Sequence, residues 1–390
     1  MPSGLSRRDF LARSGVIGCS LAASPLLTPV SFAAAPWDTR LVVIILRGGM
    51  DGLDVVQPYG DRALAGLRTS LSPGPDGGAF DLDGYFALHP RLASLMPMWR
   101  AGQLGFVHAV STPYRDKRSH FDGQDLLESG TASLSGVRDG WLNRMLQSVP
   151  GVTVRTAYAI GRDNMRLLKG AADVANWSPD AELDLSPQAE LLMELVTESD
   201  PAIHAALSEA RILAAVDGEV TRERSSDHVE IAEFAARQLS GEARIAAFSL
   251  NGWDSHRSQD RVLGNALERL AETLTTLQSA MRGNTWNRTA VVAMTEFGRT
   301  VRQNGTQGTD HGTGGVMLLA GGAVRGGRIH GQWPGLGGGD LYQDRDLMPT
   351  GDVRAHAAWI MRGLTGLDRA TLEGAVFPGV ELGRDPGLLL

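Results

Sequence analysis

Leu41-Val42-Val43-Ile44-Ile45-Leu46, closed by Arg47-Gly48-Gly49-Met50-Asp51-Gly52, is the stretch that decides the fold. Six consecutive apolar residues ended by a glycine turn read as a strand buried on both faces, the habit of a parallel sheet. Leu104–Val110, Ile245–Leu250 and Ala290–Met294 are runs of the same kind, and Val316–Gly322 reads as a fifth strand. Helical patterns lie between them. The clearest runs from about Arg261 to Arg282, where Leu263, Leu267, Leu270, Leu274 and Leu277 recur at helical spacing. Strands alternating with helices predict an α/β sandwich around a mostly parallel central sheet. Residues 170–240 are acidic and helix-prone and read as a helical insertion or cap, whereas 70–84 and 321–340 read as loops.

The chain has 390 residues, 43% of them hydrophobic, and a net charge of −7. That is enough to bury a full core in one large domain, expected over residues 36–390. Residues 1–35 read as a targeting segment. Ser6-Arg7-Arg8-Asp9-Phe10-Leu11 matches the twin-arginine export pattern, and Ser31-Phe32-Ala33 and Ala33-Ala34-Ala35 are small-x-small cleavage candidates. The expected location is the periplasm or the outside, reached folded through the twin-arginine machinery. Arg7, Arg8 and Arg13 against Asp9 give this segment +2, so the remainder carries −9. An acidic domain argues against nucleic acid as a partner. No run beyond the segment is long and apolar enough to span a membrane. Cys19, the only cysteine, ends a lipoprotein-box-like Val16-Ile17-Gly18-Cys19. The short apolar region before it favours a plain signal cysteine over a lipid anchor. The domain itself has no thiol for catalysis or metal binding.

Four of the polar motifs carry the chemistry beside Asp51. Ser119, in Arg118-Ser119-His120-Phe121-Asp122, opens a segment that looks helical to Ser129 and ends at Gly130. A hydroxyl at a helix N-terminus can face a phosphate or sulfate, and a nearby divalent metal would make it a nucleophile. His120 and Asp122 are possible further ligands or partners of ligands. Asp254 and His256 stand two apart after the third strand, so in extended chain both point to one side. Glu296 follows the fourth strand in Thr295-Glu296-Phe297-Gly298-Arg299. Asp310 and His311 sit among Gly305, Gly308, Gly312, Gly314 and Gly315, which permit close backbone approach to a ligand. Arg115, Lys117 and Arg118 make one loop basic in an acidic chain, which suits an anionic substrate, small or polymeric.

Taken together, the five motifs resemble the secreted twin-arginine family catalogued as domain of unknown function 1501. That family is similar to the alkaline phosphatase, sulfatase and cofactor-independent phosphoglycerate mutase superfamily. The resemblance implies an alkaline-phosphatase-like three-layer sandwich and a divalent metal (Zn, Mn or Ca), one or two ions. It implies Asp51, Asp254, His256, Glu296, Asp310 and His311 around the metal, Ser119 as nucleophile, and Arg118, His120 and Arg299 for the substrate.

The chain departs from the superfamily at Glu296-Phe297, where an Asp-His pair is usual. Asp310-His311 then supplies the last His, since an apolar strand follows Gly315 as it should. In the other alignment Asp310-His311 is the Asp-His pair and His330 is the last His. Ser111-Thr112-Pro113-Tyr114-Arg115 also matches the sulfatase signature, in which the first residue would be the nucleophile, but the Thr-Gly expected after it is missing. The leading expectation is a hydrolase of phosphate or sulfate esters. Its rival is a non-catalytic exported binding or envelope protein with a degenerate metal site.

Overall fold

A computed structural model describes residues 37–71, 73–115, 117–134, 138–163, 165–179 and 227–390. Residues 1–35, read above as a targeting segment, lie outside these residues. The apolar run that opens the chain forms β1, Arg40–Arg47. The other main strands are β2 (Leu104–Ser111), β3 (Ala157–Ile160), β4 (Ala175–Trp177), β5 (Ile245–Asn251), β6 (Thr289–Met294) and β7 (Gly315–Ala320). Two short strands, β8 (Ile329–His330) and β9 (Gly351–Asp352), both pair with β2. The order across the sheet is β8-β2-β7-β6-β1-β5-β3-β4.

Strand β1 lies parallel to both neighbours, with Ile44 beside Phe248 of β5 and Ala293 of β6. Only β7 runs against its neighbours, β2 and β6. The sheet is therefore mixed but mostly parallel, as the buried runs predict. This single reversal matters for the site. It brings the start of β7 to the same sheet edge as the ends of β1, β2, β5 and β6.

Alternation along β1 feeds two cores, one on each face. Val42, Ile44 and Leu46 pack with α3 (Asp227–Ser240) and α4 (Gln259–Ala280), through Phe234, Leu239, Leu263, Leu267, Leu270 and Leu274. Leu41, Val43 and Ile45 pack with α2 (Trp141–Gln147) and α5 (Val353–Thr365), through Trp141, Met145, Ile360 and Met361. Helices on both faces make the three-layer sandwich. The Gln259–Ala280 helix matches its leucine spacing within two residues of the expected ends.

The sequence reading missed β3 and β4, which are only four and three residues long. Ala175–Trp177 is the edge of the sheet, and Trp177 stacks on Phe234 at 4.1 Å. Within the stretch read as a helical insertion, residues 175–177 thus belong to the sheet and Asp227–Ser240 to a main helical layer. Residues 180–226 lie outside the described residues. Both expected loops also hold short strands, at Phe80–Asp81 and at β8. No helix among the described residues is long and apolar enough to cross a membrane.

Ile44 is fully buried in the first core. Ile44→Ala is expected to cost about 2–5 kcal/mol, read in urea unfolding as a lower midpoint with an unchanged slope.

Candidate metal centre

The site forms where four strand-end loops meet. After β1 the chain turns through Gly48 at φ 125°, and a Cβ there would lie 2.6 Å from the Asp254 nitrogen. Only glycine allows the β1 and β5 loops to pack that closely. After β2 the chain reaches α1, His120–Ser129, whose N-cap is Ser119 and whose end is Gly130 in the left-handed region. The helix has the predicted limits because both caps were readable. After β5 come Asp254 and His256, after β6 comes Glu296, and before β7 come Asp310 and His311.

Three imidazoles turn the same way. His120 Nδ1 lies 2.8 Å from Glu296 Oε1, His256 Nδ1 3.2 Å from Asp310 Oδ1, and His311 Nδ1 2.9 Å from the Arg118 carbonyl. Each of these partners accepts, so each Nδ1 carries a proton, and each Nε2 is the atom left to face a metal. The Nε2 atoms converge on Asp254. His256 Nε2 is 3.1 Å and His311 Nε2 3.3 Å from Asp254 Oδ1, and His120 Nε2 is 3.6 Å from Oδ2. His256 and His311 Nε2 are 2.9 Å apart. The His120 Nε2 is buried and has no hydrogen-bond partner among the described residues.

Three imidazole nitrogens and a carboxylate this close together call for a cation among them, a proton or a metal ion. The donor set fits a metal. Ligand atoms of His120, Asp254 and His311 all lie within 4.8 Å of one another. The four separations above bracket the edge of roughly 3.3 Å expected between ligands around tetrahedral Zn at about 2.0–2.1 Å. Oriented imidazoles with a carboxylate or carbonyl behind them are the usual setting of a metal-binding histidine.

Charge supports the same picture. The Asp254 and Glu296 carboxylates raise the His120 pKa to about 9, against the effect of burial. A pocket that holds a proton so firmly suits a cation. Burial alone would raise the Asp254 pKa, but His120, His311 and Arg299 hold it far below the carboxylate range. Glu296 is fully buried and also sits low. It receives His120, Gln124 and the Gly48 N–H, which together outweigh its burial.

Several residues stand differently from expectation. Asp51, expected as a metal ligand, is wholly buried in a separate network. Its carboxylate takes both ends of the Arg68 guanidinium, at 2.5 and 3.1 Å, and Gln259 Nε2 at 2.6 Å. Burial alone would raise its pKa, yet Arg68 and Gln259 hold it below the ordinary value. Asp51 also caps the short helix that follows it, accepting from the Leu53 N–H. Glu296 and Asp310, expected as ligands, hold imidazoles in place. His120, read both as a substrate contact and as a possible further ligand, points into the cluster.

Arg299, also expected to bind substrate, is 1% exposed. It donates to the carbonyls of Gly48, Gly49, Trp253 and Thr309 and to Asp254 Oδ1 at 2.6 Å. With its guanidinium engaged this way, it positions Asp254. Phe297 stacks on the His120 ring at 5.0 Å and stands 5.0 Å from His311, forming an apolar wall for the cluster. His330 donates to the Arg325 carbonyl and is no member of the cluster. The Ser111 hydroxyl is buried and donates to the Thr112 carbonyl. Arg68, Gln124 and Gln259 were not found by sequence reading, since nothing local marks a buried Arg or Gln that answers a distant carboxylate.

The family model described as "Protein of unknown function (DUF1501)" matches residues 109–358. No curated protein matches the chain. Among solved structures, Ps i-CgsB bound to k-i-k-neocarrahexaose is 10% identical, with 86% of this chain and 74% of that one covered and a TM-score of 0.38. The lipoteichoic acid synthase LtaP of Listeria monocytogenes is 7% identical, with 89% and 77% covered and a TM-score of 0.38. A protein of the alkaline phosphatase superfamily from Vibrio parahaemolyticus is 11% identical, with 76% and 64% covered and a TM-score of 0.34. The ligand and activity in these names belong to those proteins.

Two expectations follow from the geometry. Arg68→Met strands the buried Asp51 carboxylate and is expected to destabilise the fold by about 3–5 kcal/mol at neutral pH. The contribution of Asp51 to the native protein is present above the unfolded pKa near 3.9 and lost as pH falls. In the variant, burial raises that pKa and the sign reverses, so the deficit should shrink between pH 7 and pH 4 in urea unfolding. Arg299→Lys loses the planar fork that spans four carbonyls and Asp254. Metal affinity, titrated with Zn²⁺ or Mn²⁺, is expected to fall about 10–100-fold, the range seen for second-layer partners of ligands.

Proposed function

We propose, from the premise that this chain belongs to the DUF1501 family, that it is an exported hydrolase of phosphate or sulfate esters built on one divalent metal. The observation that carries this reading is the convergence of three Nδ1-anchored imidazoles on Asp254. His120, His256, His311 and Asp254 would hold the ion. When bound, it would supply Lewis-acid stabilisation of an anionic ester and of the oxygen that attacks it.

The chain's own residues do the rest. Ser119 is the hydroxyl beside the ligand His120, at the N-terminus of a ten-residue helix, where N–H groups and the helix dipole favour negative charge. Its oxygen accepts from the Asp122 N–H at 3.4 Å, a long bond. Attack by Ser119 Oγ, its proton passing to solvent, would form an O–P or O–S bond as the bond to the ester oxygen breaks and that oxygen leaves, taking a proton from solvent. Water would then attack the same centre and release the serine hydroxyl with inorganic phosphate or sulfate. The second layer fixes the rings through Glu296, Asp310 and the Arg118 carbonyl. Phe297 keeps water from one side of the cluster. A second ion finds little welcome, since Arg68 already supplies the cation for Asp51 and Phe297 offers no ligand atom. That observation also favours the rival reading, a binding protein with a degenerate site, which stands if the metal is held without turnover.

Export is part of the proposal and rests on Arg7-Arg8. Fractionation of cells carrying Arg7→Lys with Arg8→Lys should move the protein to the cytoplasm.

The direct test is metal content together with turnover of aryl phosphate and aryl sulfate. The expected outcome is about one ion per chain, and loss of at least about 1,000-fold in rate in Ser119→Ala with metal retained. Ser111→Ala should be near wild type. Protein that stays metal-free and inactive after addition of Zn²⁺, Mn²⁺ or Ca²⁺ would sink the hydrolase. Activity that survives Ser119→Ala and is lost in Ser111→Ala would move the nucleophile.

A further inference from the structure

We infer that Arg118 acts through its main chain: a left-handed turn at this residue holds its carbonyl against His311 and so fixes the tautomer of that ring. The consequence for metal affinity rests on the metal-centre reading above, and the tautomer itself does not.

Arg118 has φ 54°, a region that residues with a side chain seldom adopt outside glycine, asparagine and aspartate. Such strain persists only where the surroundings over-determine it, and it gathers at functional sites. Here the return is visible. The Arg118 carbonyl lies 2.9 Å from His311 Nδ1. A carbonyl can only accept, so Nδ1 donates to it, and Nε2 is the atom left to face Asp254 Oδ1 at 3.3 Å and His256 Nε2 at 2.9 Å. The residue after the turn is Ser119, the N-cap of α1, so the same backbone twist also sets where His120 begins the helix.

The side chain does something separate. Its Nη2 stands 3.8 Å from Asp346 Oδ2. Asp346 is buried and also receives Thr313 Oγ1 and Arg345 Nη1, each at 2.9 Å. Arg345 Nη1 in turn donates to the His311 carbonyl at 3.0 Å. The guanidinium therefore leans on the frame of the His311 loop, while the carbonyl holds the ring. Arg118 is a positioning residue, and the substrate-binding role expected from its charge is not needed to explain its place.

Three variants separate backbone from side chain. Glycine adopts a positive φ freely, alanine keeps the handedness preference of arginine without its charge, and β-branched valine resists the turn. The measurement is the ¹⁵N spectrum of the histidine rings in the metal-free chain at about pH 8.5, well above the ordinary histidine pKa. His311 is assigned by its loss in His311→Gln. Wild type, Arg118→Gly and Arg118→Ala should show His311 protonated at Nδ1, and Arg118→Val should show the Nε2 form or a mixture. Thermal melts confirm that each variant is folded. Zn²⁺ titration should then give affinities within about threefold of wild type for the glycine variant and about 10–100-fold weaker for the valine variant. A valine variant that keeps the Nδ1 proton overturns the inference, as does a glycine variant that loses it. The expected tautomers in a protein that binds no Zn²⁺ would support the inference and sink the metal reading instead.

Discussion

The Arg299 guanidinium is the constraint on which the site depends. It is buried beneath the sheet edge and donates to carbonyls from three separate loops and to the Asp254 carboxylate. A buried cation without partners would cost several kcal/mol. The loops after β1, after β5 and before β7 therefore must close around it together. Once they do, Asp254 has one orientation, and the imidazoles meet there. Glycines make the closure possible at its tightest points. At Gly298, the neighbour of Arg299, a Cβ would fall 1.9 Å from the Gly314 carbonyl oxygen.

The layers above this clamp follow the same logic. Each imidazole is held at its far nitrogen by a different group: Glu296 and Asp310 from the two ends of the β6–β7 loop, and the Arg118 carbonyl before α1. The antiparallel β7 puts two of those groups within reach, because its beginning meets the ends of its neighbours. Fold and chemistry are joined at that reversal. Asp51 shows the alternative fate of a strand-end carboxylate: it found an internal guanidinium and became part of the scaffold.

Much of this was legible in the sequence, and for physical reasons. Strands β1, β2, β5, β6 and β7 are buried on both faces, so nearly every residue had to be apolar. Helix α1 has a Ser at one end and a Gly at the other, each answering a backbone need. The residues that gather at the site were also marked, by polar side chains among glycines after apolar runs. What could not be read was the division of labour. Asp51, Glu296 and Asp310 are all carboxylates at strand ends, and only three-dimensional proximity shows which face an imidazole and which an Arg. His120 was left open between a substrate contact and a further ligand, because its ring direction depends on Glu296, 176 residues away. The short strands β3 and β4 were lost for a plainer reason, since a run of three or four residues has no periodicity to detect.

The account stands or falls on the first coordination sphere. X-ray absorption on the zinc-loaded chain tests it most directly. Three imidazole nitrogens and one carboxylate oxygen at about 2.0–2.1 Å are expected, with one imidazole lost from the shell in His120→Ala and one in His311→Ala. A zinc spectrum of oxygen ligands alone, or one unchanged by both substitutions, would contradict it.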